Sequence, residues 1–189
     1  MKSAPTIYLD ANIWSSQQTT FNALYPLFLT LQTERPDTFP RNAELPPGAI
    51  AHTVLDVFEQ RCSWQKIVDP QLFIRDLQDA VSEKRSNRRH YHFSAMLLSA
   101  ILAFGLAFSS KELYRSPEYR KRYAQHAKSL LEEECQSPAL CTVQAVAILS
   151  VYHSGVAEQG ESLGIRLSRS DSIFLLRCQF HVPWFVTAR

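Results

Sequence analysis

The stretch FSAMLLSAILAFGLAFSS, Phe93 to Ser110, runs 18 residues without a charge, and its placement decides what the rest of the chain must be. A membrane helix needs about 20 predominantly apolar residues. This segment sits at the short end of that range, carries Ser94, Ser99, Ser109, Ser110 and Gly105, and is alone in the chain. It therefore predicts a buried central helix, apolar all round because every side faces protein. No membrane partner is expected.

Outward from this segment, apolar residues keep helical spacing. Ile50, Val54, Val57 and Phe58 share one predicted face, and Leu72, Phe73, Leu77, Ala80 and Val81 another. Tyr119, Tyr123, Ala127, Leu130 and Leu131 follow until the acidic run Glu132-Glu133-Glu134, then Leu140, Val143, Ala147 and Val151 until Gly155, a natural helix stop. Asp69-Pro70, Ser116-Pro117 and Ser137-Pro138 each read as a helix start. The polar side chain takes an orphan N–H, and proline loses nothing at a position whose own N–H has no helical partner. Candidate strands are few: Thr6 to Leu9, Ile173 to Leu176 and His181 to Val186. The expected class is all-α, an irregular array of about five to seven helices, five of them between residues 50 and 154.

Six of the ten prolines fall in the first 47 residues, which predicts a loosely structured leader over 1–48. A helical domain is expected over 49–168 and a divergent apolar tail over 169–189. With 189 residues and 46% hydrophobic composition, one domain burying roughly 70% of its unfolded surface is the default. Twenty Lys and Arg oppose 18 Asp and Glu, a net charge of +2, short of the basic excess of a dedicated nucleic-acid binder. Cys62, Cys135, Cys141 and Cys178 lack the close pairing of zinc knuckles. They read as buried or free thiols in a reducing compartment. The N-terminus shows no basic region, apolar run and cleavage site in series, so secretion is not indicated.

Four motifs invite chemistry. Gly160-Glu161-Ser162-Leu163-Gly164 fits the nucleophile elbow G-x-S-x-G, with Asp171 and His181 following in the order of an α/β-hydrolase triad. An elbow needs a strand-to-helix turn above a parallel sheet, and about ten residues between triad members leave no room for one. Asp10 and Asn12, in Ile7-Tyr8-Leu9-Asp10-Ala11-Asn12-Ile13, resemble the first strand and metal-binding turn of PIN-domain ribonucleases. That chemistry needs several carboxylates converging on Mg²⁺ or Mn²⁺, but Asp56, Asp76 and Asp79 fall within helical patterns. Lys84 to His90, KRSNRRH, is the densest positive charge, a candidate nuclear-import signal or phosphate contact that more simply reads as a solvated loop. His90 and His92 flank Tyr91 without an acid or cysteine at ligand spacing. No catalytic, cofactor-binding or metal-binding residue is assigned.

The segment from about 53 to 155 resembles the fungal-specific transcription factor domain, the regulatory middle region of zinc binuclear cluster regulators. The resemblance is carried by Val54 to Glu59 with Trp64, by Val68-Asp69-Pro70 leading to Leu72 to Leu77, and by Phe93 to Gly105. It continues through Ala124 to Glu134, with Leu130-Leu131 followed by acids, and Thr142 to Tyr152. It implies an all-helical region of a nuclear transcription regulator, without catalytic residues or cofactor, that meets inducers, protein partners or a second copy through apolar helical faces. The family's zinc cluster requires six closely spaced upstream cysteines, which this sequence lacks, so DNA contact through such a cluster is not expected of it. Gly164-Ile165-Arg166-Leu167 is a faint echo of the family's next helix, and the chain reads as the N-terminal half of a larger, truncated or rearranged regulatory domain.

Overall fold

The computed structural model describes residues 11–41, 45–59, 67–82 and 90–157. They form seven α-helices: α1 (Ala11–Glu34), α2 (Pro47–Glu59), α3 (Pro70–Ser82), α4 (Ala95–Gly105), α5 (Glu112–Arg115), α6 (Pro117–Glu134) and α7 (Leu140–Ala157). Single 3₁₀ turns follow α1 and α4, at Pro36–Thr38 and Leu106–Phe108. The described residues contain no strand, and the chain is all-α as the sequence predicts. The candidate strands lie outside them.

Helix α4 is the hub, packed against α2, α6 and α7, while α1 closes the other side against α2 and α3. Ser94 caps it, its Oγ accepting the Leu97 N–H at 3.1 Å, and nine of its 11 residues are buried. The uncharged run from Met96 to Leu106 is therefore the centre of the core, while its end is not part of the helix and Phe108 and Ser110 are exposed. None of the described helices is long and apolar enough to cross a membrane. Where α4 crosses α2, a Cβ on Gly105 would sit 2.6 Å from Val57 Cγ2 and 2.7 Å from Thr53 Cγ2. Glycine is what allows the two backbones to approach this closely. Phe58, Phe73 and Phe93 continue the core as two edge-to-face pairs, each with centroids 5.4 Å apart. They tie α2, α3 and the approach to α4 together.

Two of the three written helix starts form as expected. Asp69 Oδ1 accepts the N–H groups of Gln71 and Leu72 at 2.9 and 3.1 Å, with Pro70 opening α3. Ser116 Oγ accepts the Tyr119 N–H at 3.2 Å, with Pro117 opening α6. The third start is displaced. Helix α7 begins at Leu140 rather than behind Ser137, because Thr142 reaches back from inside the first turn and accepts the Ala139 N–H at 3.2 Å. Nor does Gly155 stop α7, which continues to Ala157.

The expected loosely structured leader is corrected over residues 11–34, which form α1. Pro26 inside a helix costs about 3 kcal/mol. Leu24, Phe28 and Leu31 are buried on one face, and each fully buried large apolar side chain returns roughly 1.5–3 kcal/mol, so packing wins. Prolines 36, 40, 46 and 47 fall after α1 or at the first position of α2, where they do no harm. Compact structure thus begins well before Ile50.

The predicted face of α7 is also corrected. Leu140, Val143 and Val151 are exposed, whereas Cys141, Ala145, Ile148, Leu149 and Tyr152 are buried. The helix has no charged residue, so its apolar pattern does not say which side faces the core. The predicted faces of α2, α3 and α6 do turn inward, through Ile50, Val54, Val57 and Phe58, through Phe73, Leu77 and Ala80, and through Tyr119, Tyr123 and Ala127.

Candidate functional site

A cleft of about 310 Å³ opens between the end of α1 and the ends of α3, α4, α6 and α7, with Arg35, His90, Glu133, Glu134, Ser137 and Cys141 among its walls. Its polar groups mostly hold elements together. Glu134 Oε2 accepts the Thr142 hydroxyl proton at 3.1 Å, joining α6 to α7. The Cys141 thiol points at the His90 carbonyl, 3.6 Å away. Burial, with the Glu134 charge nearby, pushes that thiol up to about 11, so it stays protonated at neutral pH and is a poor nucleophile or metal ligand.

The strap from His90 to His92 is pinned from two sides. The Cys141 N–H donates to the Tyr91 carbonyl at 2.9 Å, and the His92 N–H donates to Asp76 Oδ2 at 2.8 Å. Burial raises the affinity of Asp76 for a proton, but the His92 N–H and the Arg75 guanidinium, 2.9 Å away, outweigh it and hold the carboxyl below its ordinary value. Asp76 is therefore a charged staple between α3 and the strap. His92 contributes its backbone to this staple.

Inside the bundle, Ser99 Oγ and His126 Nδ1 share a hydrogen bond of 2.9 Å. Burial lowers the imidazole's proton affinity, opposed in part by the backbone and charge of Asp37. The trio has the residue types of a hydrolytic triad, but Ser99 is only 1% exposed on the central helix, so no substrate reaches its oxygen. Arg120 is buried too. Its Nε donates to the Ala103 carbonyl at 3.1 Å and its guanidinium lies 5.2 Å from the Tyr152 ring centroid. It links α6 to α4 and α7, and burial lowers its proton affinity.

Among the described residues no three or more His, Cys, Asp or Glu side chains gather as a metal site. Asp10 lies outside them, and Asn12 and Ile13 fall within α1, so a strand-to-turn arrangement is not formed at those two positions. Ser162, Asp171, His181, residues 84–89, Cys62 and Cys178 also lie outside the described residues. Among the described residues, neither Cys135 nor Cys141 is in a disulfide. The sequence did not single out Ser99, Arg120 or His126, although a serine amid apolar neighbours and an arginine beside the buried tyrosine row of α6 were visible signs.

The family model for the fungal specific transcription factor domain matches residues 55–166, more than half of the chain. No curated protein and no solved structure matches it.

Proposed function

This chain belongs to the fungal specific transcription factor domain family, and from that premise we propose that it is a regulatory and interaction region of a fungal nuclear transcription factor, with no catalysis of its own. The family match carries this reading. The fold supports it, because the chemically able groups Asp76, Ser99, His126, Arg120 and Cys141 are engaged in joining helices. Among its exposed described residues are large apolar ones: Tyr25 and Leu29 on α1, Leu113 on α5, and Leu140, Val143 and Val151 on α7. Such positions suit protein contacts. Domain limits of 49–168 for the family region and 169–189 for the tail belong to the same proposal, with α1 now packed against it.

The test is a tethering experiment. Fused to an unrelated DNA-binding module, the chain should concentrate in the nucleus and change the output of a reporter carrying that module's site. Alone, it should select no DNA sequence, since base readout needs an element shaped for a groove as well as phosphate contacts. Nanomolar, sequence-dependent binding by the chain alone at physiological salt would overturn the proposal. So would metal-dependent ribonuclease activity lost in Asp10→Ala.

A further inference from the structure

The cleft at the ends of α1, α3, α4, α6 and α7 has a floor and a mouth of different chemistry. Among its walls Leu31, Ala80 and Phe93 are buried and Leu130 is half-buried, which makes the floor apolar. The polar atoms at this depth are engaged within the chain. Ser94 Oγ accepts the Leu97 N–H, the Cys141 thiol points at the His90 carbonyl, and the Thr142 hydroxyl donates to Glu134. Arg35 and Glu133, by contrast, are exposed where the cleft meets solvent. Arg35 directly follows α1 and Glu133 stands in the last turn of α6, so a cation and an anion reach the mouth from two different elements.

The acid is placed against the interest of its own helix. The carboxyl end of a helix carries partial negative charge and favours Lys, Arg or His, yet the last turn of α6 has no base and ends in Glu132, Glu133 and Glu134. A cationic group seated at this end meets both the carboxylate and the helix end. The volume, about 310 Å³, lies at the lower end of the roughly 300–1,000 Å³ of ligand pockets, so the occupant is small. An apolar floor calls for an apolar body. Two opposite charges at one mouth call for both signs at one end of the ligand, because a ligand of single charge would cover the other group without pairing it.

We propose that this cleft binds a small zwitterion with an apolar body, the class of the aliphatic and aromatic α-amino acids. The carboxylate faces Arg35, the ammonium faces Glu133, and the side chain lies over Leu31, Phe93 and Leu130. The use of such binding rests on the regulatory reading above, whereas the binding itself is measurable on the chain alone.

The test titrates the full chain with L-leucine and L-phenylalanine, and with two analogues of leucine that each lack one charge: isopentylamine, without the carboxylate, and 4-methylpentanoate, without the ammonium. Saturation-transfer NMR and calorimetry should show saturable binding of at least one amino acid, with both analogues weaker than leucine or phenylalanine by at least about tenfold. Arg35→Gln should weaken the amino acid and leave isopentylamine unchanged, and Glu133→Gln should weaken the amino acid and leave 4-methylpentanoate unchanged. No saturable binding of either amino acid up to about 10 mM, analogues that bind as tightly as the amino acids, or affinity unchanged in both variants would each overturn the proposal. Should a variant lose helical circular dichroism, the ranking of the four probes on the wild-type chain decides. A tethered chain that changes reporter output while neither amino acid binds would overturn this inference and leave the regulatory reading standing. Binding with a silent reporter would do the reverse.

Discussion

Helices α4 and α7 are written in the same alphabet and used differently. Neither carries a charged residue. Helix α4 is enclosed on every side by α2, α6, α7 and its own approach, whereas α7 buries Cys141, Ala145, Ile148, Leu149 and Tyr152 and turns Leu140, Val143 and Val151 outward. Absence of charge shows that water is unwelcome around a helix. It does not show how many of its sides the described body covers.

Truncation mutants make the sharpest use of this difference. Leu97, Leu98 and Ile101 on α4 are fully buried; Leu97 and Ile101, four residues apart, share one face, and Leu98 stands further round the helix. Each change to alanine should cost on the order of 2–5 kcal/mol. On α7 the cost should follow the helical period: Ile148→Ala, at a position 2% exposed, should lose about as much, while Ser150→Ala should stay within about 0.5 kcal/mol. Denaturant unfolding measures all five. Losses below about 0.5 kcal/mol at both Leu98 and Ile101 would mean that α4 is not central, and the comparison would collapse.

A smaller effect tests how α4 meets its first neighbour. Gly105→Ala adds one methyl group where Val57 and Thr53 leave 2.6 and 2.7 Å. Alanine is otherwise the better helix former by roughly 1 kcal/mol. Two opposed contributions therefore act, and overpacking of about 1–3 kcal/mol should win, so the variant should be less stable than the wild type. Val57→Ala should relieve part of the clash, giving a loss in the double variant smaller than the sum of the singles. A Gly105→Ala variant more stable than the wild type would show that α2 gives way and that the crossing is looser than drawn.

Much of this architecture was legible because local signals agreed with global packing. Asp69-Pro70 and Ser116-Pro117 announce α3 and α6 by side chains whose hydrogen bonds act within one turn, which sequence alone can specify. The faces of α2, α3 and α6 were legible because polar residues mark their outer sides. Helix α1 was hidden by proline count, since the sequence shows Pro26 but not the core that Leu24, Phe28 and Leu31 enter. The face of α7 was hidden because no polar residue distinguishes its sides strongly enough. The buried links were hidden for a third reason. Ser99 and His126 are 27 residues apart and Ala103 and Arg120 are 17 apart, and no local pattern pairs them. Motifs that looked chemical, such as His90 and His92, proved to contribute backbone groups to a strap.

The mildest test separates the two helices by pH. His126 reaches α4 through Ser99, and His153 stands on α7. Burial lowers the proton affinity of both rings: at His126 the backbone and charge of Asp37 oppose the shift, and at His153 the charge of Lys128 adds to it. The folded chain therefore holds these rings neutral at pH values where the unfolded chain, titrating near the ordinary 6.5, has begun to take up protons. Stability from this source is fully present above about pH 6.5 and is lost as pH falls through the lower folded-state values. Urea unfolding at pH 7.5 and pH 5.5 should show the chain less stable at the lower pH. His153→Gln should remove at least as much of that difference as His126→Gln, because nothing near His153 offsets its burial as Asp37 does at His126. If His126→Gln instead removes nearly all of it, the ring on α7 is better solvated than its packing implies, and the contrast between an enclosed α4 and a half-covered α7 becomes steeper.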